Sequence, residues 1–380
     1  MFNKKIKFFE LILFMCLLFT SFACKNNSTS PTDEYGYVPL LEKDVEYIQD
    51  ASKQVKNIIL ILGDGMGANQ VKVTEMVIGE NRSLDLRKLT SVGQIKTSCL
   101  DNYVTDSAAA ATAYATGVKT VYERAGKDKD GNDLKTILDY CHENGKMTAV
   151  VTDKALSDAT PLAFTAHLNN RYKEPLTIAP QQIKSNVDIM LGSGANKFKA
   201  NQSLMEEYGY DFVETKEALM NLKSNKYIGA FSNLNKMMEA SIYPTLPEMA
   251  QKALSTLKTC DKGFFLFVES GQIDNYCGDG NIQKMAEKVV TLDRVLRISM
   301  NFAKENPDTL IIVLADHETG GLVIKDGTPD KTWFTEETRY HTPVNVPVYS
   351  YGMNSNEFNG KTIENTEVFD IMFRLMGFQK

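Results

Sequence analysis

The sequence predicts an α/β protein, a three-layer α/β/α sandwich around a large, mostly parallel sheet. Three observations carry that prediction. Short, strongly apolar runs recur along the chain, they alternate with longer helix-periodic segments, and most of them end on glycine or an acidic residue. Continuous apolar strands are those buried on both faces of a parallel sheet, and strand–helix alternation is the pattern of crossover units. The 380 residues suffice for one large domain or two smaller ones. A net charge of −6 argues against general nucleic-acid binding, for which a basic stripe is expected.

In chain order, Lys4, Lys5 and Lys7 precede the apolar run LILFMCLLFTSFA, and Cys24 then opens the polar stretch KNNSTSPTDE. A basic start, a short apolar core and small residues before the cut describe a secretory signal over residues 1–23. The core is shorter than the roughly 20 apolar residues of a membrane span. SFAC resembles a bacterial lipobox, although Phe22 departs from it. Cys24 is therefore expected to carry a lipid, anchoring an exported chain to the bacterial envelope; free secretion to the periplasm is the alternative. Residues 24–50 read as a polar tether and 51–380 as the folded domain. Cys16 falls in the leader and Cys24 opens the tether, which leaves Cys99, Cys141, Cys260 and Cys277. Their spacing matches no zinc–thiolate pattern and selects no disulfide pairing.

Within the domain NIILILGDGMG, MTAVVTD, VDIMLGSG, GFFLFVES, TLIIVLADH and VPVYSYG read as strands. Between them LKTILDYCHENGK, LPEMAQKALSTLKT and KMAEKVVTLDRVLRISMNFAKENP read as helices. Strand signals are weaker over 172–255, which is expected to form an elaboration beside the site. Ligands of such sheets bind at the carboxyl ends of the strands. There the sequence places Asp64, Asp153, Glu269 and the pair Asp316–His317. One such residue would serve as a turn or cap. Several converging on one sheet edge repel one another without cations, so a multi-metal site is expected.

The loops add further candidates. GDGMG lacks the dinucleotide spacing, and its glycines allow a sharp turn around Asp64. In YVTDSAAAATAYATG, Ser107 stands before an alanine run of high helix propensity, near a helix N-terminus that favours a phosphoryl group. Either it is a nucleophile, or it is an ordinary N-cap. SDATPLAFTAHLNNR offers Asp158, Thr160, His167 and Arg171: oxygen donors suit magnesium, and a guanidinium fork suits phosphate. His142, in an amphipathic helix, has no evident role, while His317 and His341 flank strand boundaries.

Taken together, GDGMG, YVTDSAAAATAYATGVKT, SDATPLAFTAH, GFFLFVESGQID, PDTLIIVLADHETGGL and HTPVNVPVYSYG resemble the alkaline phosphatase family, in that family's order and over roughly residues 55–355. The resemblance implies an alkaline-phosphatase-like sandwich, usually a homodimer. Its implied activity is hydrolysis of small-molecule phosphate monoesters through a phosphoserine, with two zinc ions and one magnesium. Residue by residue, Ser107 matches the serine that is phosphorylated and Arg171 the phosphate clamp. Asp64, Asp316 and His317 match one zinc site. Asp64, Thr160 and Glu269 match the magnesium site, with the Asp158 carboxylate behind it. Asp274 and His341 match two of the three ligands of the other zinc.

The third ligand is absent. Where the family pattern has a histidine four residues after the aspartate, this chain has Gly278. Asp279 or water is expected to compensate; Cys277, a soft thiolate donor, is the other substitute. The departure keeps open a second reading, a slow or inactive phosphate- and metal-binding surface lipoprotein. A phosphodiesterase or sulfatase of related architecture is a third. Arg171 and the magnesium trio favour a monoesterase over a diesterase, and no CxPxR-type motif supports a sulfatase.

Overall fold

The structure is a computed structural model that describes residues 38–79, 82–232, 242–335 and 340–379. The segment expected to be a secretory signal, and Cys24, lie outside the described residues. NIILILG forms β1 (Asn57–Gly63), buried along its whole length. A strand with no exposed side chain must have neighbours on both edges and layers on both faces. The further strands are β2 (Ser91–Lys96), β3 (Met147–Ala155), β4 (Ile189–Ser193), β5 (Asp211–Val213), β6 (Tyr227–Phe231), β7 (Phe264–Ser270), β8 (Thr309–Leu314), β9 (Glu318–Thr319), β10 (His341–Thr342), β11 (Val346–Gly352) and β12 (Thr362–Glu364).

Ten of them form one sheet in the order β12-β2-β11-β8-β1-β7-β3-β4-β6-β5, and β9 and β10 pair separately. β11 runs antiparallel to both β2 and β8, while the remaining pairs of the large sheet are parallel. The predicted mostly parallel α/β architecture is what the chain adopts. All six predicted strands are present. β2 escapes notice because it buries only alternate residues, Ser91, Gly93 and Ile95, two of which are not strongly apolar. The stretch 172–255 contributes β4, β5 and β6, which extend the same sheet to one edge.

Eight helices matter below: α1 (Ala68–Ile78), α2 (Ser107–Thr116), α3 (Ile137–Glu143), α4 (Ala159–Thr165), α5 (Leu246–Leu257), α6 (Gln272–Gly278), α7 (Ile282–Glu305) and α8 (Asn365–Leu375). Along α7 the buried residues Met285, Val289, Leu292, Leu296, Ser299 and Ala303 recur every three or four positions, one face of a helix. That face lies on β1, β7 and β8, with α1 and α5 beside it. α2, α4 and α8 pack together elsewhere on the sheet.

β7 fixes the two layers. Phe264 meets Phe302 of α7 edge-on at 5.4 Å, and Phe267 stacks on Phe164 of α4 at 4.5 Å. Side chains of odd separation point to opposite faces of a strand, so α7 and α4 cover opposite faces. Glu269, two residues beyond Phe267, shares the α4 face. Phe267→Ala is expected to lower unfolding free energy by about 3–5 kcal/mol, read from the denaturant midpoint, because it empties the centre of this layer.

Residues 41–50, read as tether, are docked. Leu41 N donates to Asn301 Oδ1 at 2.9 Å, Asn354 N to Ile48 O at 2.8 Å and Gln49 Nε2 to Gly352 O at 3.0 Å. The four cysteines of the domain are free thiols.

Candidate active site

β8, β1 and β7 are adjacent and parallel, so their carboxyl ends bring Asp316, Asp64 and Glu269 to one sheet edge. Gly65, at φ +72°, turns the chain beneath the site; a Cβ there would stand 2.7 Å from Thr319 Oγ1. Its amide and that of His317 both donate to Asp316 Oδ1, at 3.1 and 3.0 Å. Asp316 Oδ2 and Asp64 Oδ1 remain buried without a hydrogen-bond partner. His317 Nε2 lies 3.1 Å from the first of these oxygens and 3.6 Å from the second. It is also 3.1 Å from Ser107 Oγ.

The electrostatics of this group are strained. Burial, and then Asp316, hold the Asp64 carboxyl well above the usual range. Burial opposes charge on His317, but Asp316 and Asp64 outweigh it and lift the imidazole to about 9. Burial likewise opposes ionisation of Asp316, and His317 overcomes it. The two carboxylates share one imidazole, and their orphaned oxygens are costly to bury; a cation at this point removes the cost. One imidazole nitrogen and two carboxylate oxygens within 4.8 Å of one another suit zinc, which keeps an open position in catalytic sites.

A second group shares His317. Asp274, in the first turn of α6, His341 and His317 also converge within 4.8 Å. The two rings stack with centroids 3.4 Å apart. His341 Nδ1 faces the Thr105 carbonyl at 2.8 Å, which leaves Nε2 pointing at Asp274 Oδ1, 3.7 Å away. Burial, and then His317, depress His341 to about 4, keeping it the neutral donor that a metal requires. Thr319 Oγ1 donates to Asp274 Oδ1 at 2.6 Å and fixes that carboxylate. Gly278 ends α6, one turn beyond Asp274. Neither proposed substitute belongs to this convergent group. Cys277 is fully buried, and burial and then Asp274 push its thiol well above the usual range. Asp279 is exposed at the C-cap of α6.

The expected magnesium residues are arranged differently. Glu269 Oε2 accepts from Thr152, and Thr160 hydrogen-bonds the same carboxyl group, which burial raises to about 7. Asp64 Oδ2, however, accepts from the ammonium of Lys154 at 2.8 Å. The same Nζ is 3.5 Å from Asp158 Oδ2. The resident ammonium takes the Asp64 oxygen that a magnesium ion would need, so the set as it stands does not fit magnesium. Glu269 Oε1, meanwhile, is left buried without a hydrogen-bond partner. Asp153, the fourth strand-end acid, is spent on structure: its oxygens accept from Gly271 N at 2.8 Å and pair with Lys288 Nζ at 3.1 Å.

Ser107 is the first residue of α2 and not its cap. Asp106 caps, accepting from Ala108 N and Ala109 N at 3.1 and 3.3 Å. Those two amides are thus used internally, and the Ser107 hydroxyl is left facing His317. Arg171 is held by Asp158 at 2.7 Å and by Tyr172 Oη at 2.6 Å, while its Nε is buried without a partner. His167 is structural, its Nδ1 against Gly126 O at 2.7 Å. Sequence reasoning missed Thr319 and Lys154. The signal for Lys154 was a lysine placed between Asp153 and Asp158 at the tail of a buried strand.

Fold and donor set together define an α/β sandwich in which two convergent groups of metal-ligating side chains lie against a helix-first serine. More specifically, the chain belongs to the alkaline phosphatase family, whose model matches residues 55–339. Alkaline phosphatase 4 of Bacillus subtilis (strain 168) is 33% identical over 303 residues, 74% of this chain and 65% of the relative. The chain thus spans just under two-thirds of that relative's length. Alkaline phosphatase of Escherichia coli (strain K12) is 28% identical over 87% of this chain and 88% of its own. The solved alkaline phosphatase from the Antarctic bacterium TAB5 superposes with a TM-score of 0.75 at 27% identity, covering 86% of this chain and 99% of that one. Family membership implies metal cofactors.

Proposed function

We propose that this chain hydrolyses phosphate monoesters, with Ser107 as nucleophile and a phosphoserine as intermediate. The observation that carries the reading is Ser107 Oγ standing 3.1 Å from Nε2 of His317, the residue that both convergent donor groups share. Asp64, Asp316 and His317 would hold one zinc ion; Asp274 and His341, with His317 beside them, would hold the other. Bound zinc would supply Lewis acidity, favouring the serine alkoxide and the departing ester oxygen. Ser107 Oγ attacks phosphorus as the bond to the ester oxygen breaks, and water then releases phosphate from Oγ. Arg171, anchored through Nη1 by Asp158, would clamp a phosphoryl oxygen with its guanidinium group. Magnesium-binding relatives exist, a TAB5 variant having been solved with Mg bound; the Lys154 contact above speaks for a different third site here.

The test is p-nitrophenyl phosphate hydrolysis at alkaline pH by zinc-loaded protein, with bound metals counted in parallel. Repeated turnover with two zinc ions per chain is expected. Gly278→His, which places an imidazole one turn from Asp274, is expected to tighten the second zinc and raise turnover. A single stoichiometric burst with one zinc bound would instead identify a phosphate-binding protein.

A further inference from the structure

We propose that the ammonium group of Lys154 occupies the position expected for magnesium, so that the third cation of this site is a side chain and not a divalent ion. The inference rests on the metal-centre reading above and concerns that centre's composition. Four features of the chain build the position. In the parallel pairing of β3 with β7, Thr152 lies opposite Glu269, so Thr152 and Lys154, two residues apart, share the Glu269 face. Register between β3 and β4 shifts between Val151 and Ala155, and Lys154 N is held by Thr152 Oγ1 at 3.0 Å. This irregularity at the strand end aims Lys154 over the site.

Gly271 then makes room for it. A Cβ on Gly271 would stand 2.6 Å from Lys154 Cδ and 3.1 Å from Glu269 Cδ; any side chain there would displace the lysine stem. The stem is therefore packed in a slot that only glycine leaves open, and Lys154 is 9% exposed. At its end Nζ lies 2.8 Å from Asp64 Oδ2 and 3.5 Å from Asp158 Oδ2. An ammonium group is a compact point charge with three donors, so it can face two carboxylates at once.

The arrangement has a consequence for the phosphate clamp. Asp158 is shared, one oxygen facing Lys154 and the other holding Arg171 Nη1 at 2.7 Å. Lys154 thus positions Arg171 through Asp158, and links it to Asp64 of the zinc group. A tethered cation cannot dissociate, so the third site needs no metal supply.

Metal analysis of the purified protein tests this apart from activity. After zinc loading and dialysis against millimolar magnesium, the parent is expected to retain zinc and no magnesium, and its turnover to be indifferent to added magnesium. Lys154→Ala is expected to take up one magnesium per chain. Without that ion its turnover should fall roughly 10- to 100-fold, as for loss of a supporting contact to a metal ligand, and magnesium should restore it. Magnesium retained at one per chain by the parent overturns the proposal. So does a folded, zinc-loaded Lys154→Ala that gains none. Lys154→Met, which keeps the stem packed over Gly271, serves as the second variant, and the parent's magnesium count decides independently of both. Absence of turnover in the parent would sink the phosphatase reading while leaving these metal counts interpretable.

Discussion

Ser107→Ala is expected to lower kcat for p-nitrophenyl phosphate by at least ~10^3-fold, the scale of nucleophile deletions in enzymes whose reacting groups act as a unit. Zinc content should be unchanged, because Ser107 is not one of the carboxylate or imidazole donors that converge. Nor should stability change much. The cap of α2 is the Asp106 carboxylate, which accepts Ala108 N and Ala109 N, and alanine is the strongest helix former for the position that follows. A variant that binds zinc, folds and fails to turn over isolates the hydroxyl as the chemical group. Residual turnover within tenfold of the parent would mean that another nucleophile, such as water, does the work.

His317→Ala is expected to strip metal as well as activity. Its Nε2 faces Asp64, Asp316 and Ser107, and it is the one residue common to both convergent groups. At least one of two zinc ions per chain should be lost, with a fall in turnover of at least ~10^3-fold. The pH dependence of metal uptake should change too. In the metal-free protein His317 is lifted to about 9, and an imidazole must lose its proton to ligate. Zinc binding to the parent should therefore release a proton below that pH and tighten as pH rises towards 9. The variant should lose that component, measurable as proton release by calorimetry in buffers of different ionisation enthalpy. Two zinc ions retained by His317→Ala would show that the shared position is not used.

Much of this molecule can be read from the chain. β1, β7 and β8 are continuous apolar runs, and only a sheet covered on both faces accommodates such runs. Because parallel strands end at the same edge, an acid after each run predicts where charge gathers. Asp64, Asp316 and Glu269 were located by that argument alone. β2 and β12 were not, since an antiparallel strand near the edge needs no apolar signature and β12 has three residues.

What the sequence by itself determined is the layered sheet, the edge that carries the acids, and the residue types around Ser107. Hydrophobic burial sets those, and burial is written in local composition. Only the tertiary structure decided how the charges are partnered. Asp153 and Asp64 look alike in sequence, each at the end of an apolar run. Yet one is neutralised by Lys288 from α7, and the other faces His317 and Lys154 from two different strand ends. Pairing between ions depends on distances of 3 to 4 Å across elements far apart in the chain, and no periodicity encodes those. The absent side chain of Gly271 is the sharpest instance: its meaning, a slot for Lys154, exists only once β3 and β7 lie side by side.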